Sequence, residues 1–175
     1  MKTSSCTRLG AVIAAVVVAS ACASLGGTGP KAHVQLQSKS GSAVGGTLSL
    51  QQKHDGVMIS GEIRGLAPDS AHGFHVHEKG DCSAADASSA GPHFNPTGSP
   101  HGMMGPGPHH EGDMPNITAD KRGSALVKVL VPGATLDDGP ASIMGRAIVV
   151  HRDPDDYSTQ PAGNAGPRIA CGVIQ

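Results

Sequence analysis

Two histidines separated by one residue, His75 and His77, are the first sign of chemistry in this sequence. In a β-strand, positions i and i+2 project from the same face with backbones about 7 Å apart, so both rings could converge on one ion. Histidine is the commonest metal ligand and the usual proton carrier near neutral pH. The pair alone fits a solvated strand face as well as a metal site.

A second group of ligand types lies in a long segment rich in Gly, Pro and Ser. It comprises three imidazoles and a carboxylate, the donor set of a closed zinc site: His93, His101, His110 and Asp113. The spacing does not match a zinc finger, and the alternative is a histidine-rich disordered segment that binds metals loosely. His151 ends an apolar run, where it could also be an ordinary edge histidine. Taken together, these residues predict a metal site.

Strands must position these residues, because apolar side chains alternate with a period of two along 34–36, 48–50 and 57–63. Turn residues separate the three runs, and Asp55-Gly56 is the strongest two-residue hairpin candidate. This pattern predicts three strands in meander order.

Further strands are expected at 73–77, 125–131, 143–151 and 169–174, with long loops at 78–122 and 152–168. The sequence shows neither an amphipathic helical pattern nor a boundary between two domains. We therefore expect an all-β fold, an antiparallel β sandwich or Greek-key barrel with two long loops.

Composition excludes some classes of function. The 175 residues suffice for one domain, and 13 basic against 14 acidic side chains give a net charge of −1, which argues against a nucleic-acid binder that relies on phosphate contacts. The aromatic residues are Phe74, Phe94 and Tyr157, too few for a base-stacking surface.

Residues 1–21 have the three parts of a secretory signal: the basic Lys2 and Arg8, an apolar run, and small residues before Cys22. The apolar run is too short to favour a permanent membrane span. The segment 19–22 resembles a bacterial lipoprotein cleavage box, which predicts lipidation of Cys22, although ordinary cleavage after small residues is the alternative. Residues 22–30 would then be a flexible tether, and 31–175 the folded domain.

Export also bears on the cysteines. Cys6 would leave with the signal and a lipidated Cys22 would have no thiol, which leaves Cys82 and Cys171. An even pair in an exported protein predicts a disulfide, with two buried thiols as the alternative.

Three segments together resemble the copper/zinc superoxide dismutase family: Gly-Phe-His-Val-His-Glu at 73–78, Gly-Pro-His-Phe-Asn-Pro at 91–96, and the run from Gly163 to Ile174. The resemblance covers Lys31 to the end of the chain, and it implies an eight-stranded antiparallel Greek-key barrel or sandwich of immunoglobulin-like architecture with two long functional loops. It implies one copper and one zinc per subunit. The implied copper ligands are His75, His77, His93 and His151; the implied zinc ligands are His93, His101, His110 and Asp113.

In this resemblance His93 is shared by both metals. His110 is preferred to its neighbour His109 because of its three-residue step to Asp113. Asp155 matches the carboxylate that links a copper histidine to a zinc histidine, and Arg168 matches the active-site arginine that attracts an anion. Cys82 and Cys171 match the intrasubunit disulfide of the family.

The implied activity is conversion of two superoxide anions and two protons to dioxygen and hydrogen peroxide, with Arg168 and His93 as catalytic residues. The protein would then protect the cell envelope and would contact the membrane only through lipid on Cys22. A monomer and a homodimer are both alternatives for its assembly. The alternative is a copper and zinc buffer of the envelope on the same fold, since the loop also carries Met103, Met104 and Met114, whose thioethers suit Cu(I).

Overall fold

A computed structural model describes Met1 and residues 29–175 of the chain. Its strands are β1 (Lys31–Ser38), β2 (Gly45–Lys53), β3 (Gly56–Arg64), β4 (Ala71–His72), β5 (Phe74–His77), β6 (Ile117–Thr118), β7 (Ala125–Pro132), β8 (Ala147–His151) and β9 (Arg168–Val173). One 3-10 turn spans Ser88–Ala90. The predicted signal, most of the predicted tether and Cys22 lie outside the described residues. Among the residues that the structure describes, no helix is long and apolar enough to cross a membrane.

The first three strands follow the alternation of their side chains. In β1, Val34 and Leu36 are buried while their sequence neighbours are exposed, which is the pattern of a sheet with one face in the core. β1, β2 and β3 pair antiparallel in chain order, so the predicted meander is confirmed. The hairpin between β2 and β3 closes with Lys53 opposite Gly56, so its loop residues are His54 and Asp55, one position earlier than predicted.

Seven strands form one antiparallel sheet in the order β5-β8-β9-β1-β2-β3-β7, and β4 pairs with β6 in a short ribbon. The sheet curls around the core into a half-barrel that is open between β5 and β7. The predicted all-β class is confirmed. The described residues form nine strands, where the resemblance implied eight. The sequence pattern placed seven of them, and it missed the two-residue strands β4 and β6, whose residues it assigned to a loop or a strand end.

β5 and β8 differ from the outer strands because every residue in them is buried. The main core packs on one side, and Ala87 and Ala90 of the first long loop pack against Val149 on the other. β8 begins at Ala147, so the prediction of a strand from residue 143 was wrong. Residues 143–146 form a turn instead, closed by the hydrogen bond from the Arg146 N–H to the Ile143 carbonyl and by a positive φ of 74° at Gly145.

The long loops are held against these two strands by backbone hydrogen bonds. In the loop at 78–116, the Phe94 N–H donates to the Val76 carbonyl at 2.8 Å and the Val76 N–H donates to the Gly112 carbonyl at 2.9 Å. A Cβ at position 112 would lie 2.2 Å from the Val76 carbonyl oxygen, so only glycine allows this approach. The loop at 152–167 is held next to β5 by Gly73, the residue just before that strand, whose N–H donates to the backbone carbonyl of Asp153 at 2.8 Å.

Candidate metal centre

β5 and β8 bring together the first group of histidines. The two strands are paired with Phe74 opposite Val150, which places His75 and His77 beside His151 at the end of β8. His93 joins them through an isolated bridge between its backbone and that of His77. The resulting cluster is buried, and one nitrogen from each of its four rings lies within 4.8 Å of the others: His75, His77, His93 and His151.

The acceptors around this cluster decide which nitrogen of each ring faces inward. His77 Nδ1 donates to the Gly91 carbonyl at 2.8 Å, and His151 Nδ1 donates to the Gly166 carbonyl at 3.1 Å. Each ring therefore presents an Nε2 without a proton, and these two Nε2 atoms lie 3.3 Å apart. Two lone pairs at this separation repel unless a cation lies between them.

Burial keeps these rings neutral. It is the largest cause that lowers the pKa of His75 and His77 well below 6.5, and neighbouring His93 and His151 act in the same direction. Burial likewise lowers the pKa of His151 to about 4. Neutral imidazole is the form that binds a metal, so the cluster is ready to coordinate at neutral pH.

The second cluster is centred on one carboxylate oxygen. Oδ1 of Asp113 lies 2.8 Å from His93 Nδ1, 3.0 Å from His101 Nδ1 and 3.3 Å from His110 Nδ1. The other oxygen, Oδ2, accepts the backbone N–H groups of Gly102 and His110. Burial would raise the pKa of Asp113, but the hydrogen bonds from His93 and from these two N–H groups outweigh it and hold the pKa well below its usual range.

His93 belongs to both clusters through its two nitrogens. Nδ1 faces Asp113, while Nε2 is buried and has no hydrogen-bond partner among the described residues. His110, rather than His109, completes the second cluster. The Nδ1 of His109 is instead bonded to the Gly107 carbonyl outside it.

Asp155 connects the clusters from behind. Its Oδ2 accepts a hydrogen bond from His75 Nε2 at 2.7 Å, and its Oδ1 accepts one from His101 Nε2 at 2.9 Å. These bonds place the protons on Nε2 and leave Nδ1 of both rings facing the clusters. The backbone of Gly163 lies against this bridge, because a Cβ there would be 1.8 Å from Asp155 Oδ1.

Two carboxamides that the sequence analysis did not single out hold Asp155 and His101 in register. Gln160 accepts from the His101 N–H and donates to the His101 carbonyl, both at 2.8 Å. Asn116 makes the equivalent pair with the backbone of Asp155, both at 2.9 Å. Each long loop thus forms hydrogen bonds to the backbone of the other. The sequence alone could not have shown this, because a single Asn or Gln in a loop has no recognisable pattern.

Arg168 lies beside the clusters at a cavity of about 630 Å³, where it is joined by His93 and His151. Its guanidinium donates to the carbonyls of Ala87 and Gly91, at 2.7 and 2.8 Å. Burial lowers the pKa of Arg168, and the carboxylate of Asp86 raises it. The pKa of an arginine lies so far above neutral pH that the guanidinium remains a cation. The cavity therefore offers a fixed positive charge in a space that three of the clustered histidines also line, His93, His110 and His151.

The disulfide between Cys82 and Cys171 is present, which confirms that prediction. It joins the loop that supplies the carbonyl acceptors of Arg168 to the strand that begins with Arg168. A second cation that the sequence analysis missed, Arg146, lines the same cavity with its guanidinium 3.6 Å from the centre of the Phe94 ring.

Of the three loop methionines, Met114 is only 1% exposed and packs in the main core, so it is not a surface ligand. His72, the last residue of β4, is structural in its contacts: its Nδ1 donates to the His151 carbonyl.

Comparison with known proteins agrees with this geometry. The family model described as copper/zinc superoxide dismutase matches residues 44–174. "Superoxide dismutase [Cu-Zn] 2" of Aquifex aeolicus is 44% identical over 149 residues, which cover 83% of this chain and 86% of the relative. The "Superoxide dismutase-like protein YojM" of Bacillus subtilis is 38% identical over 146 residues, with 81% and 74% covered.

Solved structures show the same fold. A SOD-like protein from Bacillus subtilis has a TM-score of 0.74 at 36% identity, with 82% of this chain and 97% of that chain covered. The clock protein EA4 also has a TM-score of 0.74, at 39% identity, with 82% and 92% covered.

Proposed function

The chain belongs to the copper/zinc superoxide dismutase family, and we propose that it is an active member that converts superoxide to dioxygen and hydrogen peroxide. The observation that carries the proposal is His93, whose two nitrogens face two different donor clusters while Arg168 lies at the same cavity. Family membership alone does not decide activity, since one of the similar proteins is named only superoxide dismutase-like.

The buried nitrogens fit two metal ions. Four ring nitrogens are buried without a hydrogen-bond partner in the described part of the chain, and each belongs to one of the clusters: His75 Nδ1, His93 Nε2, His101 Nδ1 and His110 Nδ1. An orphaned buried acceptor is costly, and a bound cation would satisfy it. We assign copper to the four-histidine cluster and zinc to the cluster with the carboxylate, because a carboxylate with three imidazoles suits a closed zinc site.

The chemistry supplied by copper, when bound, is one-electron oxidation and reduction, which zinc lacks. Arg168 attracts and orients the superoxide anion at the cavity. The position and orientation of its guanidinium are fixed because the group donates hydrogen bonds to two backbone carbonyls, those of Ala87 and Gly91. A cation at short range binds a small anion even when the net charge of the whole protein is not strongly positive.

His93 Nε2 is the atom that can hold and release a proton, since its other nitrogen, Nδ1, faces the cluster with Asp113 to which we assign zinc. In the proposed reaction, one superoxide is oxidised to dioxygen and a second is reduced to peroxide. His93 Nε2 takes up one proton from solvent and gives it to the peroxide, which takes its second proton from solvent directly. The electron given up by the first anion is taken by the second, so two anions and two protons give one dioxygen and one hydrogen peroxide.

The test is a superoxide-decay measurement on protein reconstituted with copper and zinc, with both metals quantified in the same sample. Rapid decay that depends on copper supports the proposal, and decay no faster than the uncatalysed rate contradicts it. The alternative, a copper and zinc buffer without turnover, predicts that Arg168→Ala changes neither metal content nor any rate. A dismutase predicts normal metal content with slow turnover.

We also propose that the protein is exported and anchored in the cell envelope through lipid on Cys22, with residues 1–21 as signal, 22–30 as tether and 31–175 as the dismutase domain. The motivation is the sequence pattern of the first 22 residues. Metabolic labelling with a fatty acid should mark the wild-type protein and not Cys22→Ser; equal labelling of both, or of neither, contradicts the proposal.

A further inference from the structure

The loop between two members of the zinc cluster, His101 and His110, carries exposed sulfur that neither cluster uses. Met103 is 59% exposed and Met104 is half-buried. Exposed apolar side chains are common on protein surfaces, but two adjacent thioethers in one loop also form a pair of soft, adaptable donors.

The two ends of the loop meet at a neck formed by Gly102, Pro108 and His109, so residues several positions apart in the sequence are close in space there. A Cβ at Gly102 would lie 2.3 Å from the Pro108 carbonyl oxygen and 3.6 Å from the Cβ of His109. Met103 follows one side of this contact directly, and His109 is part of the other side. Beyond the neck the tip is open, because nothing lies within 4 Å of the Cβ positions of Gly105 and Gly107.

His109 is prepared to act as a ligand from this neck. Its Nδ1 donates to the Gly107 carbonyl at 2.8 Å, so Nε2 has a lone pair and the ring is outside both buried clusters. Methionine side chains have three rotatable bonds and adapt to irregular positions, which allows Met103 and Met104 to approach the same ion.

We propose that Met103, Met104 and His109 form a third metal site, at the surface, that binds Cu(I). Thioethers are soft ligands that favour Cu(I) over Zn(II), and one imidazole suits the same ion. The site differs in chemistry from the two buried clusters, which offer only imidazole nitrogen and carboxylate oxygen. It would hold reduced copper on the loop that supplies two members of the zinc cluster. The proposal does not depend on dismutation.

The difference in donor atoms gives a direct test, X-ray absorption at the copper edge. The full chain carries Cys6→Ser and Cys22→Ser, so that neither thiol competes, and is loaded with copper and zinc in the buried clusters. One further equivalent of Cu(I) is then added anaerobically with ascorbate. Alkylation and mass measurement verify that Cys82–Cys171 stays oxidised.

We expect a copper–sulfur component in this protein, its loss in Met103→Leu/Met104→Leu, and a weakened component in His109→Gln. The matched control is Met144→Leu, which removes an exposed methionine at 37% exposure outside this loop and should keep the component. Thermal unfolding checks that each variant is folded. Absence of copper–sulfur scattering in the parent protein, or its persistence in the double methionine variant, overturns the proposal whether or not the protein dismutates superoxide.

Discussion

His77 and Arg168 donate hydrogen bonds to the same acceptor, the carbonyl oxygen of Gly91, each at 2.8 Å. One peptide group thus orients a histidine of the four-histidine cluster and the cation that lines the neighbouring cavity. The shared acceptor couples the position of the anion-binding group to that of the metal cluster, although the two residues lie 91 positions apart in the chain.

Replacing Arg168 should separate binding of metal from turnover. We expect Arg168→Ala to lower kcat/KM for superoxide on the order of a hundredfold, because it removes a pre-oriented charge, with copper content unchanged. Arg168→Lys should lie between the two, since a lysine keeps the charge but not the planar fork that spans Ala87 and Gly91. Equal activity of the alanine variant and the wild type would contradict the assigned role.

Asp155 should matter for zinc although it is not in either cluster. In Asp155→Asn the amide oxygen can accept from only one of His75 and His101, so one ring loses its fixed orientation. We expect zinc affinity to fall about 10- to 100-fold, measured by competition with a chelator. Asp156→Asn is the control, because this exposed neighbour bonds Ser158 and Thr159 rather than a clustered histidine; a similar loss in both variants would be evidence against the bridge.

Gly163→Ala should disturb the same bridge by steric contact. The new Cβ would lie 1.8 Å from Asp155 Oδ1 and 2.6 Å from His101 Nε2, at a φ of +66°. Gly98→Ala provides a matched control, since its φ is +69° and nothing lies within 4 Å of its Cβ position. Both variants should lose about 1 kcal/mol of stability from backbone strain, and only Gly163→Ala should also lose zinc affinity. Chemical denaturation and chelator competition give the two quantities.

Removal of the disulfide should affect both stability and turnover. Cys82→Ser/Cys171→Ser opens a loop with a sequence separation of 89 residues, and we expect the free energy of unfolding to fall by about 2–5 kcal/mol. Turnover per bound copper should also fall, because the loop from Cys82 holds the acceptors of Arg168. Unchanged turnover per copper would show that the loop keeps its position without the bond.

Acid should destabilise the metal-free protein well above the range where most carboxylates titrate. The folded pKa of His151 is lowered from 6.5 to about 4, first by burial, so between these values the unfolded chain binds a proton that the folded chain does not. Stability therefore falls as pH falls, and a change from pH 7 to pH 5 should cost about 2 kcal/mol from His151 alone. Denaturant titrations at both pH values measure this; equal or greater stability at pH 5 would rule it out.

The sequence predicted the strands where local pattern and burial agree. The alternation in β1, β2 and β3 reports one buried face, and all three strands formed as expected. The apolar run before β8 was misleading: Ile143 is fully buried in a turn, and hydrophobicity records burial without recording backbone conformation. Met114 lies in a loop segment rich in polar residues, yet it packs in the core and so does not serve the alternative of a thioether ligand.

What the sequence determined by itself is the set of donors, since three recognisable segments, together with the His and Asp residues spaced between them, were enough to indicate the family and the metals it implies. The tertiary structure decided which nitrogen of each histidine is available. That choice depends on acceptors that folding alone brings to the ring: the Gly91 carbonyl for His77, the Gly166 carbonyl for His151 and Asp155 for His75. The acceptors for His77 and His151 are backbone carbonyls 14 and 15 positions away, and no local pattern in the sequence encodes such a pairing; the role of Asp155 followed only from the family resemblance.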